Sequence, residues 1–551
     1  MSTANFNPKT DLEKLISGDV TDDEKILKTF SRDASVFEIM PQLVVSPKNV
    51  SDIKKLVNYA DHNVKKGVSL TPRAAGTCMS GGSLTHSVMV DTMKYLNNVK
   101  KIGKDYAVTE PGVYYRDFDK KTKKKNLFLP PYPASRELCA VGGMVGNNAA
   151  GERTLCYGST IQFVKKLKVV LADGNEYMVK PLSKRELYNK MRKKDFEGKL
   201  YRKIHALLVE NEELIANAKP KTGKNSMGYY LWDVMQEDGT FDLTKLIVGS
   251  QGTLGIITEI EFALERPKKH HELLVLTLPH LEGLDVIVND ILKFKPESFE
   301  CFDDQTMKYA LKYFSEIADK FKVCSGAKIY LQFIPDFIDL LSGKMPKLTL
   351  IADFAGDDLE AVHEQAKKAQ AVAETMKIKT KLLSSPEIAE KYWVVRRESF
   401  SLLRGHAEHM TSAPIIDDIC VNPNRLPEFL PRLFETLHKY DKYMIHTLAG
   451  HIGSGNFHII PLMDLDDQKV RKIVPQLVKD VHSLTLEFDG TLAAEHNDGL
   501  MRGPFLKDMF GKPMYKLFQQ VKDTFDPKGI FNPNKKVNIT FKEALKYMHY
   551  N

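Results

Sequence analysis

Three segments of this chain carry almost no side-chain bulk, and they restrict its fold more than any other feature of the sequence. They comprise residues 72–82, 142–151 and 249–257. Small residues leave backbone N–H groups uncovered, and successive uncovered N–H groups can surround an anion such as a pyrophosphate. The three segments indicate either backbone crowding around one extended ligand or three independent tight turns. The first lacks the G-x-G-x-x-G pattern leading into a helix, so a nicotinamide Rossmann site is not expected.

Composition places the chain among ordinary globular proteins. Of its 551 residues, 43% are hydrophobic and 27% are charged, which is enough for two large domains. No apolar run approaches the roughly 18 residues of a membrane span. Residues 1–14 are polar and lack the apolar stretch of a secretory signal. We therefore expect a cytoplasmic protein and leave open a peripheral position on the inner face of the membrane.

Cysteine spacing and charge narrow the chemistry further. The six cysteines lie far apart and form no C-x-x-C pair, so neither an iron–sulfur cluster nor a disulfide framework is expected. The net charge is +8, and the densest run of lysines spans residues 120–125. Such a run is typical of a solvated face; the alternative is docking on an anionic membrane or an acidic electron acceptor. Aromatic residues do not alternate with these lysines, so no nucleic-acid partner is expected.

The hydrophobic patterns predict an α+β fold. We expect an N-terminal extension (residues 1–32), a ligand-binding domain (33–267), a substrate or cap domain (268–540) and a tail (541–551). Strands alternate with helices in the third region, which favours helices on one face of a sheet. The predicted strands are 43–45, 68–72, 87–91, 167–171, 246–249, 255–262, 273–278 and 348–354, and the predicted helices include one after Val50 and one at 357–376.

The segment 450–458 (Gly-His-Ile-Gly-Ser-Gly-Asn-Phe-His) is the most informative for function. His451 and His458 would share one face of a helix, but the glycines argue against a helix. A turn followed by a strand at 457–461 fits better and can bring both imidazoles together. Two histidines around a glycine-rich turn favour a metal site, although many histidines are simply hydrogen-bonded residues.

A third metal ligand is expected from the segment 493–499, which contains Glu495 and His496. Neighbours in an extended strand point to opposite sides, so a shared site requires a bend, which residues 497–499 (Asn-Asp-Gly) favour. Two imidazoles and one carboxylate suit Zn²⁺, with Mn²⁺ and Fe²⁺ as alternatives, and leave positions open for substrate. Taken alone, the segment also fits a surface turn with solvated charges.

In their order along the chain, these segments resemble the vanillyl-alcohol-oxidase-type (PCMH-type) family of FAD-linked oxidoreductases. Within that family they are similar to the branch of D-lactate, glycolate and D-2-hydroxyglutarate dehydrogenases. The resemblance covers residues 33–536. Its marks are 72–82, 142–151 with Tyr157 and Gly158, Lys224 and Asn225 with Gly228 and Tyr229, 249–257, Trp393 with Arg396, 450–458, Glu495 with His496, and 525–536.

The resemblance implies a two-part FAD-binding domain, a cap domain and a C-terminal segment that returns to the flavin. The loop 74–81 would hold the pyrophosphate, and 142–151 with 249–257 would line the adenosine and the flavin edge. No residue is a strong candidate for covalent attachment, so we expect non-covalent FAD, with Cys78 and Cys139 as the alternatives. The implied FAD contacts are Pro72, Arg73, Ala74, Ala75, Gly76, Thr77, Cys78, Ser80, Gly81, Pro111, Gly142, Gly143, Asn148, Ala149, Gly151, Gly158, Gly252, Ile256, Ile257 and Asn534.

The resemblance also assigns roles around the histidines. The implied roles are metal ligation by His451, His458 and Glu495, base chemistry by His496, and a polar contact near flavin and substrate by Asn456. A bound metal lowers the pKa of a chelating substrate hydroxyl, and an imidazole is suited to accept its proton. The hydride on the same carbon would leave for the flavin.

Arg396 is the expected clamp for a substrate carboxylate, because a guanidinium matches a carboxylate in a bidentate manner. The alternative is a surface arginine paired with Glu390 or Glu398. Asp417 and Asp418 match an acidic position of the family only loosely, and no role is assigned to them.

Four positions depart from the family pattern. Ser454 stands where relatives usually carry Asp, and Gln251 replaces a usual Glu. Asn497 and Asn534 stand where relatives usually carry Gly. The two missing carboxylates make the site less negative, which bears on metal affinity and substrate choice rather than on FAD binding.

These observations favour an FAD-dependent dehydrogenase that oxidises a small D-2-hydroxy acid. Without an iron–sulfur motif, its electrons would pass to a quinone, a cytochrome, a flavoprotein or oxygen. One alternative is a non-catalytic flavin- or metal-binding subunit of a larger redox complex. Another is a transferase of the alkyl-dihydroxyacetone-phosphate synthase type, but its tandem histidines occur only as His270 and His271, at the domain boundary. Oligomeric state is left open, with a homodimer as one option.

Overall fold

A computed structural model describes residues 6–318, 321, 327–406 and 410–549 of the chain. These residues contain four β-sheets. The strands of these described residues are β1 (Asp19–Thr21), β2 (Leu43–Ser46), β3 (Leu70–Arg73), β4 (Val88–Asp91), β5 (Val99–Ile102), β6 (Tyr106–Thr109), β7 (Val164–Val170), β8 (Glu176–Val179), β9 (Ile256–Ala263), β10 (His270–Leu278), β11 (Ser298–Asp303), β12 (Leu348–Gly356), β13 (Lys379–Leu383), β14 (Thr411–Ser412), β15 (Ile419–Cys420), β16 (Met444–Ile445), β17 (Leu448–His451), β18 (Asn456–Ile459) and β19 (Leu462–Met463).

Helices cover the faces of these sheets. In the same described residues they are α1 (Pro8–Leu15), α2 (Glu24–Phe30), α3 (Val50–Asn63), α4 (Tyr115–Lys123), α5 (Val141–Asn147), α6 (Thr154–Tyr157), α7 (Thr160–Phe163), α8 (Lys184–Met191), α9 (Phe196–Glu210), α10 (Glu212–Asn217), α11 (Thr244–Ile247), α12 (Leu284–Leu292), α13 (Asp304–Lys312), α14 (Phe314–Ala318), α15 (Ala327–Leu341), α16 (Leu359–Thr375), α17 (Pro386–His406), α18 (Leu426–His438), α19 (Gln468–Glu487), α20 (Leu506–Phe525) and α21 (Phe541–Leu545). None of these helices has both the length and the apolar character required to cross a bilayer.

Two sheets build the first part of the molecule. One has the order β1-β2-β4-β3, with β2, β4 and β3 parallel, so the small-residue loop 74–82 leaves the carboxyl end of β3. The other is antiparallel with the order β5-β6-β9-β7-β8. Strand β9 begins at the end of the small-residue segment 249–257, and α5 carries most of the segment 142–151. The fold therefore gathers all three segments.

The second part is built on a seven-stranded antiparallel sheet with the order β13-β10-β12-β11-β17-β18-β15. Helices pack on both of its faces, so the expectation of helices on one face is wrong. Leu274 and Leu276 of β10 pack in the cluster that contains α12 and α16, whereas Leu273 and Val275 pack with α13, α15 and α17. Successive residues of a strand point to opposite faces of the sheet, and those of β10 are apolar on both faces. Both faces must therefore be covered by other parts of the protein.

The C-terminal region returns to the first part of the molecule. The N–H of Asn532 donates to the carbonyl of Leu70 at 2.9 Å, and Phe531 pairs with Leu70 beside β3. Further on, Met548 pairs with Phe37. The segment therefore closes the sheet from which the loop 74–82 emerges.

Most predicted elements occur at or near the expected residues, including α3, α16 and the strands β2, β4, β7, β9, β10 and β12. The predicted strand at 246–249 is wrong, because these residues belong to the short helix α11 and the turn after it. Asp242 accepts from the N–H of Thr244 at 2.9 Å and so starts the helical turn. The buried apolar run of Leu246 and Ile247 has no periodicity that distinguishes a strand from a buried helical turn.

Candidate active site

One cavity of about 520 Å³ is lined by the three small-residue segments and by the histidine-bearing segments. This volume is within the range of a cofactor and substrate site. The implied FAD contacts that line it are Pro72, Arg73, Ala74, Ala75, Gly76, Thr77, Cys78, Pro111, Gly142, Gly143, Ala149, Gly252 and Ile257. The implied contacts that do not line it are Ser80, Gly81, Asn148, Gly151, Gly158, Ile256 and Asn534.

Several of the second group support the cavity wall from behind. Ile256 and Ile257 are neighbours in β9, so their side chains point to opposite faces, and Ile256 packs in an apolar cluster. Asn148 ends α5 in the left-handed conformation and accepts from the N–H of Ile161 at 2.9 Å. A Cβ on Gly151 would lie 2.1 Å from the carbonyl oxygen of Tyr132, so a close backbone approach requires this glycine.

The wall formed by α5 is suited to a flat ligand. A Cβ on Gly143 would meet only the Cβ of Ala74, at 3.6 Å, and a Cβ on Gly146 would meet only a backbone atom of Gln251, at 4.0 Å. Protein packing therefore does not require these two glycines, and both line the cavity. Their lack of side chains keeps open a space that a ligand ring can occupy.

The loop after β3 is suited to an anion. In the described part of the chain, the backbone N–H groups of Ala75, Gly76 and Thr77 donate no hydrogen bond. Arg73 lies beneath the loop, where its guanidinium donates to the carbonyls of Phe30 at 3.0 Å and Arg32 at 2.7 Å. The loop is thus held from below while its N–H groups remain for a pyrophosphate, so the residues present fit FAD.

We predict that Gly143→Leu lowers FAD content at least ~10-fold, because the added side chain enters the cavity and not the protein core. Gly143→Ala is the graded control, since its methyl group would meet Ala74 at an ordinary contact distance of 3.6 Å. Flavin absorbance per chain measures the effect, and the melting temperature of the FAD-free protein should stay unchanged. Full FAD content in the leucine variant would contradict this placement of the flavin.

The two histidines of segment 450–458 come together through a β-hairpin. Strands β17 and β18 pair antiparallel around a short 3₁₀ turn at Ile452–Ser454, with His451 opposite Asn456. The ring centroids of His451 and His458 lie 5.2 Å apart. The expected turn and strand are therefore confirmed.

A backbone bend brings His496 to the same place. Asn497 and Gly499 both have left-handed φ values, of 62° and 50°. The carboxylate of Asp418 accepts from the N–H groups of Glu495 at 2.8 Å and His496 at 2.7 Å, which fixes the bend. The rings of His496 and His458 then stack, with centroids 5.3 Å apart.

Three donor groups can hold a metal ion. Ligand atoms of His451, His458 and Glu495 lie within 4.8 Å of one another. Nδ1 of His451 lies 2.7 Å from Glu300, and Nδ1 of His458 lies 3.3 Å from Asp417. Each Nε2 therefore faces the other ligands, and that of His451 lies 3.1 Å from the Glu495 carboxylate. A carboxylate behind each imidazole is the usual support for a metal ligand. The residues present fit a divalent cation.

A second group within the same distance consists of Asp417, His458 and His496. Asp417 is fully buried, and its other oxygen lies 2.6 Å from Nδ1 of His496. Burial alone would lower the pKa of His496, but the carboxylates of Asp418 and Asp417 raise that pKa to about 9. Asp417 therefore contacts the two imidazoles at once and orients both.

Positive side chains balance these carboxylates. Lys224 is buried and forms an ion pair with Glu495. Burial opposes the charge of Glu495, but Lys224 and His451 hold its pKa well below the usual range. Arg396 lies 3.0 Å from Glu300, a buried carboxylate of β11. Its Nε is buried without a hydrogen-bond partner in the described chain.

The remaining assigned residue, Asn456, lies one layer behind the cavity. It is fully buried, donates to Asp418 at 3.1 Å and receives a hydrogen bond from Lys224 at 3.5 Å. The departures from the family pattern are accommodated: Asn497 and Asn534 adopt the left-handed conformation that asparagine tolerates better than most residues. Gln251 accepts from the N–H of Gly499 at 2.8 Å.

Sequence reasoning missed Glu300 and assigned no role to Lys224 or Asp417. A signal existed for each acid: Glu300 lies between the apolar Phe299 and Cys301 in a fully buried strand, and Asp417 follows the apolar pair at 415–416. A buried carboxylate in such a run requires a partner, but the run does not say which one.

Comparison with known proteins agrees with this geometry. Residues 41–179 match the model of the FAD binding domain, and residues 268–536 match that of the FAD linked oxidases, C-terminal domain. This chain belongs to the FAD-linked oxidases. Solved structures with the same fold include a 4-ethylphenol oxidase from Gulosibacter chungangensis (TM-score 0.67, 15% identity, 97% of both chains) and an alkyldihydroxyacetonephosphate synthase (TM-score 0.64, 15% identity, 95% of this chain and 84% of the other).

Curated relatives of this FAD-linked oxidase carry several names. A D-2-hydroxyglutarate dehydrogenase of Pseudomonas putida is 25% identical over 94% of this chain and 50% of its own length. The glycolate oxidase subunit GlcD of Bacillus subtilis is 26% identical over 92% of this chain and 91% of its own. A D-lactate dehydrogenase of Archaeoglobus fulgidus is 26% identical over 90% and 91%. The chain thus spans about half the length of the first relatives and nearly all of the others.

Proposed function

We propose that this FAD-linked oxidase dehydrogenates a small D-2-hydroxy acid to the 2-oxo acid. The observation that carries the proposal is that Arg396, His451, His458, Glu495 and His496 all line the cavity that the small-residue segments line. The residues proposed as carboxylate clamp, metal ligands and base thus line one cavity with the segments suited to FAD. The names of the relatives support the same substrate class.

The chain's own residues bind the acid and move its hydroxyl proton. Arg396 holds the carboxylate, using the Nε that has no partner in the described chain. Nδ1 of His496 faces Asp417, so Nε2 accepts the hydroxyl proton when the imidazole is neutral. Because the two aspartates raise the pKa of His496 to about 9, the neutral form and hence turnover should increase as the pH rises toward that value. The apolar side chains Ala449 and Ile460 in the same cavity limit the water around the acid. FAD, when bound, accepts the hydride.

We propose His451, His458 and Glu495 as ligands of a divalent cation, with Zn²⁺ favoured by this mixture of imidazoles and carboxylate. When bound, the cation would lower the pKa of the substrate hydroxyl. Lys224 contacts Glu495 and competes with the cation for that carboxylate.

A dye-coupled assay tests the proposed reaction. The purified FAD-bound protein is mixed with an artificial electron acceptor and with D- and L-forms of lactate, 2-hydroxyglutarate and other small hydroxy acids, and with glycolate. We expect turnover with D-forms and none above background with L-forms. If none of the hydroxy acids is turned over under metal-replete conditions, the proposed reaction is rejected and a non-catalytic subunit is favoured.

Arg396→Lys is expected to raise the apparent KM for the acid ~10-fold or more, because a lysine cannot make the bidentate contact. FAD content should remain that of the wild type. Arg432→Lys is the matched control, since Arg432 also pairs with a carboxylate, Glu487, but is half-exposed and lies outside the cavity lining. Equal KM values for the two variants would assign the clamp to another residue.

FAD is expected to leave the protein on acid denaturation, because neither candidate thiol is activated. Burial raises the pKa of Cys139 to about 12 and also raises that of Cys78. Both sulfurs are therefore protonated near neutral pH, whereas a thiolate is the reactive form. Flavin absorbance should stay in the supernatant after acid precipitation. A yellow pellet would show covalent attachment.

A further inference from the structure

Helix α15 of the cap domain has a well-packed inner face. Phe333 and Phe337 contact Phe314 with ring centroids at 5.0 and 5.9 Å. Lys391 of α17 donates to the carbonyl of Gln332 at 2.8 Å and forms an ion pair with Asp336. These contacts fix which side of the helix points away from the protein.

The outer face of the same helix is also apolar. Leu331 is 64% exposed, Ile334 48%, Ile338 58% and Leu341 87%. Their spacing of three, four and three residues places them in one stripe along the helix. Ile388, at the start of α17, is 44% exposed, and its neighbour Glu387 accepts a hydrogen bond from Gln332 of α15. The start of α17, with one more exposed aliphatic side chain, therefore lies beside α15.

The chemistry of this stripe favours lipid over a protein partner. Its side chains are purely aliphatic, whereas the central residues of protein interfaces are enriched in aromatic residues and arginine. The spacing matches that of a coiled-coil seam, but it extends for fewer than the three to four heptads that such a seam needs. The two aspartates of the described helix, Asp336 and Asp339, lie off the stripe by helical geometry.

Lysines complete the pattern. Lys344 and Lys347 follow α15 directly, and both are exposed. Lys347 lies 3.8 Å from Asp304, with 64% of its side chain exposed. Aliphatic side chains beside lysines are typical of a helix that lies in the interface of an anionic membrane. The lysine run at 120–125 has no exposed apolar side chain among its own residues, so it offers charge alone.

We propose that α15 and the start of α17 dock this protein on an anionic membrane surface, with Leu331, Ile334, Ile338 and Leu341 in the headgroup and acyl boundary. The helix would lie in the plane of the membrane. This proposal does not depend on the reaction, because none of its residues lines the cavity.

Vesicle flotation tests the proposal. The FAD-bound protein is mixed with vesicles of phosphatidylcholine alone or of phosphatidylcholine with phosphatidylglycerol, at low and at raised salt. We expect flotation with the anionic vesicles and weaker flotation with the neutral ones or at raised salt. The Ile338→Glu/Leu341→Glu variant should bind anionic vesicles at least ~10-fold more weakly, since two aliphatic side chains no longer enter the boundary.

The matched control is Val286→Glu/Leu359→Glu, which adds the same charge at two exposed aliphatic residues of α12 and α16. It should float like the wild type, and all proteins should keep the same FAD content and melting temperature. The proposal is overturned if the wild type does not float with anionic vesicles, or if both double variants float equally. It is also overturned if light scattering shows a wild-type dimer that the α15 variant converts to a monomer, since the stripe is then an interface between copies.

Discussion

His496→Ala is expected to lower kcat at least ~100-fold, the lower range for loss of a general base, with FAD content unchanged. His496 is the imidazole that has its Nδ1 against the buried Asp417 and its ring in the cavity lining. Its backbone is held independently by Asp418, so the bend at 495–499 survives removal of the side chain. The loss should therefore appear in turnover and not in folding.

The matched control for this variant is His86→Ala, since His86 is an exposed imidazole that contacts the Tyr547 ring and lies outside the cavity lining. Steady-state rates with the best D-2-hydroxy acid compare the two. If His496→Ala turns over within a few fold of the control, His496 is not the base.

His451→Ala is expected to abolish stoichiometric metal binding and to lower turnover by ~100-fold or more. Changes behind a metal ligand already cost about 10- to 100-fold, so loss of a ligand itself costs at least as much. Chelation of the wild type should produce the same loss, with recovery when the metal is returned. Elemental analysis and rate measurements on the same preparations test both effects.

Another acidic cluster supplies the control for the metal experiment. His271, Glu297 and Asp353 also bring ligand atoms within 4.8 Å of one another, but Arg153 forms an ion pair with Glu297 there. His271→Ala should keep both metal content and turnover. Equal metal loss in the two variants would show that the metal is not bound specifically by the active-site residues. Full turnover in a metal-free sample would show that the reaction does not need the metal.

The sequence predicts the site better where chemistry and backbone signals coincide. His451 and His458 flank glycines, and Glu495 and His496 precede an Asn-Asp-Gly bend, so both residue type and turn chemistry indicate them. The resemblance to a family then assigns their roles. For these residues the local sequence indicates the position, while their roles stay predictions.

Residues that reach the site through the pairing of distant strands cannot be predicted by the same reasoning. Glu300 reaches His451 because β11 pairs with β17, and Asp417 reaches His458 because β15 pairs with β18. That order joins strands far apart in sequence, and local pattern does not contain it. The strand wrongly expected at 246–249 has a related cause, since burial makes a helical turn and a strand equally apolar.

The central claim is that four groups, those of His451, His458, Glu495 and His496, converge on a cavity that also holds FAD. Anaerobic reduction of the bound flavin tests this claim most directly. The metal-replete protein is mixed once with a D-2-hydroxy acid, in its ordinary form and with deuterium at C2, while the visible absorption of oxidised flavin is followed. We expect the absorption to bleach, more slowly with deuterium, and we expect His496→Ala to bleach far more slowly still. Flavin that stays oxidised with every D-2-hydroxy acid, although FAD and metal are bound, would contradict the account.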